Sequence, residues 1–116
     1  MHESGIAYDL YATARRAAVE NGANRVVRIS VEFGELAMVN PEQVRFLFSV
    51  MVDEDPLFSG TTLNLETVPP VMTCACGGYS GTDCYVCPGC GGLPTVVQGR
   101  EIVVKSIEID VGDESE

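Results

Sequence analysis

The sequence predicts an α+β fold in which a three-stranded sheet packs against two helices and a small cysteine-rich module is inserted before the last strand. Two segments repeat their apolar residues at helical spacing, and three others have the alternation or the apolar runs of strands. All five cysteines lie between positions 74 and 90, where large apolar side chains are few. A chain of 116 residues has room for one compact domain with such a module and no more.

The first predicted elements are a helix over residues 4–22 and a strand from Arg25 to Phe33. Ser4 is a suitable helix N-cap, and Gly22 is a suitable stop after the last turn. The expected buried face of the helix consists of residues at helical spacing: Ile6, Leu10, Ala14, Ala17 and Ala18. In the strand, the apolar residues expected to face the core alternate with polar ones: Val27, Ile29, Val31 and Phe33.

The second helix is predicted to start after Asn40, which is a good N-cap and is followed by Pro41 at the first helical position. Gln43 stands where the partner in a capping box would stand. The expected buried stripe of this helix is apolar: Val44, Leu47, Phe48 and Met51. A second strand is predicted over 61–68, with Leu63 and Leu65 pointing inward.

The last strand is predicted over 101–111, with Ile107, Ile109 and Val111 on one face. Its early part, residues 102–104, is apolar on both faces, so this strand is expected either to be central in the sheet or to carry a bulge. Pro69 and Pro70 form a stiff hinge before the cysteine-rich segment. These boundaries divide the chain into an α/β domain of residues 1–69 and 100–116 and a module of residues 70–99.

The charge balance is strongly acidic. Seven Lys and Arg residues against 17 Asp and Glu residues give a net charge of −10. This balance argues against nucleic acid and anionic membranes as partners, because both are bound through clustered cations. No apolar run approaches the roughly 20 residues of a membrane span. The beginning of the chain has His2 and Glu3 in place of a basic segment, so we expect no secretory signal and a cytoplasmic protein.

The cysteine module has the spacing of a metal site. The run from Cys87 to Gly91 reads Cys-Pro-Gly-Cys-Gly. Two residues between ligands let both sulfurs face one ion, and Gly91 allows a tight turn whose N–H groups can donate to sulfur. Tetrahedral Zn²⁺ takes four thiolates at about 2.3 Å. The sequence therefore predicts a zinc-ribbon-like module with four cysteine ligands, ahead of disulfides or a thioredoxin-like redox pair.

The choice of the four ligands is less regular. Cys74 and Cys76 are separated by one residue, where two are usual. We favour Cys74, Cys76, Cys87 and Cys90 as the zinc ligands. Cys84 is then a spare thiol or a substitute for Cys74 or Cys76.

The N-terminal residues offer a second metal site. The α-amine of Met1 and the backbone nitrogen and imidazole of His2 can bind one ion in adjacent small rings, and the amide of Glu3 can complete a square-planar nitrogen set. This geometry suits Ni²⁺ or Cu²⁺ more than Zn²⁺. Because backbone amides must lose protons to bind, the affinity should fall as the pH falls.

Together these residues resemble the HypA family of hydrogenase and urease nickel metallochaperones, over nearly the whole chain. The resemblance is carried by five segments: Met1 to Glu3 before a helix, Arg25 to Gly34, Pro41 to Phe46, Cys87 to Gly91, and Gly99 to Ile109. The spacing of Cys74 and Cys76 and the additional Cys84 depart from the family pattern.

The resemblance implies a nickel metallochaperone that takes part in [NiFe]-hydrogenase maturation. It implies nickel at Met1, His2 and Glu3 and a structural zinc ion at the four favoured cysteines. It also implies partners: a HypB-type nickel GTPase, the precursor of the hydrogenase large subunit and, for some members, urease accessory proteins. The chain would act as a monomer or homodimer and would not be an enzyme.

Two other functions are compatible with parts of this sequence. A zinc-ribbon interaction module without a nickel role would have the cysteine cluster but would not bind nickel. A metal-dependent hydrolase would need a general base beside an open metal position. The carboxylates that could serve are Glu32, Glu35, Glu42 and Glu66, but His2 is the single histidine of the chain, so no second imidazole is present to build such a site.

Overall fold

The structure is a computed structural model that describes residues 3–111. Within this range the elements are α1 (Glu3–Glu20), β1 (Arg25–Gly34), a 3-10 helix (Glu35–Ala37), α2 (Pro41–Val52), a second 3-10 helix (Pro56–Phe58), β2 (Thr62–Val68), β3 (Val71–Thr73), β4 (Ser80–Gly81), β5 (Thr95–Gln98) and β6 (Ile102–Asp110). The predicted α+β class is confirmed, and the predicted helices and long strands begin and end within two residues of the observed ones.

The main sheet has the strand order β2-β1-β6, with β2 parallel and β6 antiparallel to β1. Side chains from β1 and from both helices form one core: Ile6, Leu10, Ile29, Val31, Phe33, Val44 and Phe48 are among its buried members. Leu63 is also buried, and Leu65 packs against the core. A sheet and a helix layer thus bury their apolar faces against each other.

The helices follow the predicted patterns with two differences. In α1 the buried face includes Ala7, whereas Ala17 is half-buried. In α2 the side chain of Asn40 accepts hydrogen bonds from the N–H groups of Glu42 (3.0 Å) and Gln43 (3.2 Å), as expected of an N-cap. The N–H of Asn40, which a capping-box glutamine would bind, donates instead to the Glu3 carboxylate.

A bulge in β1 changes which of its residues face the core. Val26 pairs with Ile109 and Arg28 with Glu108, so Val27 is left without a position in the β6 register. Val26 is therefore fully buried and Val27 is half-buried, and the prediction that Val27 faces the core was wrong.

A second bulge interrupts the alternation of β6. Ser30 pairs with Ser106 and Val31 with Val104, so Lys105 is skipped. The skipped residue shifts the alternation, and the core contacts come from even positions before it and odd positions after it: Ile102, Val104, Ile107 and Ile109. Of the two expected explanations the bulge is right and the central position is wrong, since β6 is an edge strand. Val111 lies beyond the strand and is 56% exposed.

The segment between β2 and β6 contains a small sheet of its own, with the antiparallel order β4-β3-β5. The sequence did not predict these strands. They are two to four residues long, too short for an alternation to be recognised. Among residues 3–111, no helix is both long enough and apolar enough to cross a membrane.

Candidate metal centre

Four cysteine sulfurs converge at the tip of the small sheet. The Sγ atoms of Cys74, Cys76, Cys87 and Cys90 all lie within 4.8 Å of one another. The Sγ–Sγ distance is 3.5 Å between Cys74 and Cys90 and 3.6 Å between Cys76 and Cys87. A tetrahedral ion with metal–sulfur bonds of about 2.3 Å would place its sulfurs about 3.8 Å apart. The four side chains therefore fit a tetrahedral metal ion of zinc's size.

The backbone around the cysteines points its N–H groups at the sulfurs. Gly78 donates to Cys76 (3.2 Å), and Gly92 donates to Cys90 (3.4 Å). A third N–H···S bond runs from Gly89 to Cys87 at 3.3 Å. Such bonds stabilise thiolates and fix the directions in which they point. The sequence signal for them is the Gly-Gly pair that follows Cys76 and again follows Cys90.

The one-residue spacing of the first cysteine pair does not prevent convergence. After Cys76 the chain turns at Gly77, whose φ is 79°, and after Cys90 it turns at Gly91, whose φ is 76°. Both values lie in the left-handed region that glycine adopts without strain. The two pairs thus use equivalent turns, although the sequence gives them different ligand spacings.

Without an ion the crowded thiols ionise unequally. The backbone N–H of Cys90 contributes most to lowering the pKa of Cys87, to about 7, and burial opposes it. For Cys76 the Gly78 N–H lowers the pKa, but hydrogen bonds with the three other thiols together outweigh it and raise the pKa to about 12. A cation among the sulfurs would favour the thiolate form of all four cysteines.

Cys84 does not belong to this group of four sulfurs. It is half-buried, and its N–H donates to the Tyr79 hydroxyl at 2.9 Å. The same hydroxyl accepts from the Asp83 N–H and donates to the Asp83 carboxylate. Tyr79 thus organises the loop that carries Cys84. The sequence does not indicate this role of Tyr79, because a tyrosine in a loop carries no local signal for it.

The second predicted site is only partly within the described range. Met1 and His2 lie outside residues 3–111, whereas Glu3 is the first residue of α1. The Oε2 atom of Glu3 accepts a hydrogen bond from the Asn40 N–H at 3.1 Å. This contact ties the start of α1 to the N-cap of α2. The sequence pattern indicates only the capping role of Asn40 and not its contact with Glu3, since the two residues are 37 positions apart.

The small sheet is joined to the main sheet at a tight crossing, where residues 99–101 pass against the end of β1 and the 3-10 helix that follows it. Gly34 and Leu36 donate backbone hydrogen bonds to the carbonyls of Glu101 (2.7 Å) and Gly99 (2.8 Å). The Gly99 N–H donates to the Glu101 carboxylate at 3.0 Å, which lowers the pKa of Glu101. A further contact links the cysteine loop to the end of β1, where the Tyr85 hydroxyl donates to Glu35 at 3.4 Å.

Of the four carboxylates that a hydrolytic site could use, only Glu32 and Glu66 are neighbours, as partners across β1 and β2, and they do not form a cluster of three or more metal ligands. Glu32 lies 3.9 Å from the Lys105 ammonium, and Glu42 lies 3.7 Å from the Arg45 guanidinium. Glu35 contacts Tyr85, and Glu66 is exposed on β2. Within residues 3–111, the group of cysteines is the one cluster of His, Cys, Asp or Glu with metal-binding geometry.

Comparison with known proteins gives the family. The family model described as hydrogenase/urease nickel incorporation, metallochaperone, hypA matches residues 1–109. The hydrogenase maturation factor HypA of Methanocella arvoryzae is 45% identical over 116 residues, covering 96% of this chain and 100% of that protein. The factor of the same name from Methanothermobacter thermautotrophicus is 38% identical over 124 residues, covering 97% and 100%.

The fold agrees with a solved structure as well. The solution structure of the Ni metallochaperone HypA from Helicobacter pylori aligns with a TM-score of 0.69 at 20% identity, covering 97% of this chain and 100% of that one. At this identity the likeness concerns the fold. The family match spans both the N-terminal residues and the four-cysteine cluster. The chain therefore belongs to the HypA family of hydrogenase/urease nickel-incorporation metallochaperones.

Proposed function

We propose that this protein binds Ni²⁺ at its N-terminal residues and delivers it during maturation of [NiFe]-hydrogenase. The observation that carries the proposal is the extent of the family match, which begins at residue 1 and continues through the cysteine cluster to residue 109. The α/β part of the chain, residues 1–69 and 100–116, is the nickel-binding unit in this proposal, and residues 70–99 are the zinc-binding unit.

We assign a structural zinc ion to Cys74, Cys76, Cys87 and Cys90. The sulfur–sulfur distances of 3.5 and 3.6 Å and the three N–H···S bonds support this assignment. Bound zinc supplies the stabilisation that the segment lacks from apolar burial, about 10 kcal/mol or more in comparable small modules. All four ligands come from the protein, so the ion has no open position for a substrate or a hydroxide.

Nickel is the cargo. Its proposed ligands are the α-amine of Met1, the backbone nitrogen and imidazole of His2, and the backbone nitrogen of Glu3. The Glu3 carboxylate, which is bonded to the Asn40 N–H, positions the start of α1. A set of nitrogen ligands in adjacent chelate rings favours Ni²⁺ over Zn²⁺ by geometry, and this difference keeps the two metals at their own sites.

The proposed partners are a HypB-type GTPase that supplies or receives nickel, the precursor of the hydrogenase large subunit and, where the host has urease, its accessory proteins. The family role in hydrogenase nickel incorporation supports them. We place the protein in the cytoplasm, as a monomer or homodimer that catalyses no reaction itself.

Nickel titration of His2→Ala tests the proposal. Untagged protein is titrated by calorimetry, and metal content is measured in parallel. The wild type is expected to bind one Ni²⁺ per chain and to contain one zinc. His2→Ala should lose nickel binding and keep its zinc and its circular dichroism spectrum. A second variant with a residue added before Met1 should bind nickel weakly, because the α-amine is displaced.

Each outcome is decisive. Wild-type protein that takes up no stoichiometric nickel would refute the nickel role and leave a zinc-ribbon interaction module. Unchanged nickel affinity in the extended variant would remove the amine from the ligand set. Zinc loss in His2→Ala would contradict the separation of the two sites.

A further inference from the structure

The outer face of α1 carries an apolar and basic stripe in an otherwise acidic protein. The stripe consists of residues at helical spacing: Tyr8, Ala12, Arg15, Arg16 and Val19. Tyr8 and Val19 are each 57% exposed. Together with Tyr11 they line a shallow groove of about 420 Å³. A core position in α1 would be buried, so this stripe is surface that the protein's own core does not use.

The groove is held in place by one carboxylate of the loop after α2. The Asp55 Oδ2 atom accepts hydrogen bonds from the Tyr11 hydroxyl (2.8 Å) and from the Arg15 Nε (3.4 Å). Its Oδ1 atom accepts from the Leu57 N–H. The Tyr11 ring also packs on Phe58, with the ring centroids 5.1 Å apart. The floor of the groove is thus ordered before any partner arrives, which reduces the entropy cost of binding.

The charge of this face differs from that of the whole molecule. The chain has seven Lys and Arg residues for 17 Asp and Glu residues, yet two of those cations are adjacent here. Arg15 keeps 52% of its side chain exposed beside Asp55, and Arg16 has no carboxylate within ion-pair distance among residues 3–111. Glu20 is the one carboxylate among the residues that line the groove.

These features select the kind of partner. A cation pair flanked by Tyr8 and Val19 suits a segment that presents carboxylates beside apolar anchors, because both contacts are then complementary. A second copy docking through the same face would contribute the same arginines and the same carboxylates, so it offers no excess of negative charge to Arg15 and Arg16. We propose that the outer face of α1 is a docking surface for an acidic amphipathic helix of a partner protein.

The test uses two synthetic peptides that differ in charge alone. Each is a fluorescein-labelled helix of about 18 residues, or five turns, with leucines at helical spacing. One has glutamates beside the leucines and the other has lysines. Binding is followed by fluorescence anisotropy with the full zinc-loaded protein, and ¹⁵N amide spectra locate the contact. We expect the acidic peptide to bind, to shift the amides of α1, and to bind more weakly as salt is added.

Two matched charge reversals test the location. Arg16→Glu is expected to weaken binding of the acidic peptide by roughly tenfold. Arg100→Glu makes the same charge change at an exposed residue of the junction between the sheets and is expected to leave the affinity nearly unchanged. Equal loss in the two variants, amide shifts outside α1, or preference for the lysine peptide would overturn the proposal. So would failure of the acidic peptide to bind at all. Nickel uptake is measured separately, so this result does not depend on the nickel site.

Discussion

The crossing between the two sheets predicts a large effect for a single methyl group at Gly34. A Cβ at this position would lie 2.2 Å from the Gly99 carbonyl oxygen and 2.3 Å from its carbon, where ordinary contacts begin near 3.4 Å. The clashing atoms belong to the backbone, so no side-chain rotation can relieve the overlap. Gly99 is itself packed closely against Pro70, since a Cβ added to Gly99 would lie 2.7 Å from the Pro70 Cα, and this restricts how far Gly99 can shift.

The size of this destabilisation follows from the backbone movement that is needed to relieve the overlap. Relief requires the end of β1 and residues 98–100 to separate by about 1 Å, an overpacking cost of about 1–3 kcal/mol. It also breaks the hydrogen bond from Leu36 to Gly99, which is worth about 1 kcal/mol. We therefore expect Gly34→Ala to lower the free energy of unfolding by about 2–4 kcal/mol. At roughly 4 °C per kcal/mol for a chain of this size, the melting temperature should fall by about 10 °C.

Thermal unfolding of zinc-loaded protein, followed by circular dichroism, measures this effect. Gly5→Ala is the matched control, because a Cβ there has no atom within 4 Å and α1 gains up to about 1 kcal/mol from alanine. We expect Gly5→Ala to melt at or slightly above the wild-type temperature. If Gly34→Ala has the same melting temperature as Gly5→Ala, the crossing is not rigid and the reasoning is refuted.

Two further predictions concern the cluster and the loop after α2. Cys84→Ser should retain one zinc per chain, whereas Cys76→Ser should lose zinc and the structure of the module; metal analysis with circular dichroism checks both, and zinc loss in Cys84→Ser would reassign the ligands. For Asp55, burial is the largest influence and raises the pKa, but the bonds from Tyr11, Leu57 and Arg15 together lower it below its ordinary 3.8. Its contribution to stability is therefore present above pH 3.8 and is lost as the pH falls through the lower folded-state pKa. The stability difference between wild type and Asp55→Asn, measured by urea unfolding, should be largest near neutral pH and shrink below about pH 4, and a difference that grows on acidification would contradict this sign.

The sequence predicted what local patterns encode. Asn40 caps α2, as its position before Pro41 predicts. The spacing of the cysteines predicted a metal cluster, because ligand spacing is a property of a few consecutive residues. The bulges at Val27 and Lys105 could not be located, since alternation is read from one strand whereas a bulge is a mismatch between two. The apolar run in β6 still indicated that a bulge was possible.

Contacts between distant segments could not be predicted for the same reason, because a local pattern carries no information about residues far away in the chain. Nothing near Glu3 indicates that its carboxylate meets the N–H of Asn40, and nothing near Gly34 indicates that Gly99 lies against it. Both contacts depend on how the layers are stacked. They are also the contacts on which the position of the N-terminus and of the cysteine module depends, so the parts of the site least visible in the sequence are those that orient it.

The two proposed metal sites differ in how firmly the protein would hold the ion. The cysteine cluster receives three N–H···S bonds and offers four soft ligands that all come from the protein, so an ion held there leaves only when several metal–sulfur bonds break together. A carrier must release its cargo to another protein, and release requires ligands that a partner can replace one at a time. The proposed nickel site meets that requirement, because its nitrogen ligands come from consecutive residues that a partner can replace in turn, while the Glu3–Asn40 hydrogen bond fixes the start of α1. The zinc ion is then a fixed component of the fold and nickel is the exchangeable one, which is the order of stability that delivery of nickel demands.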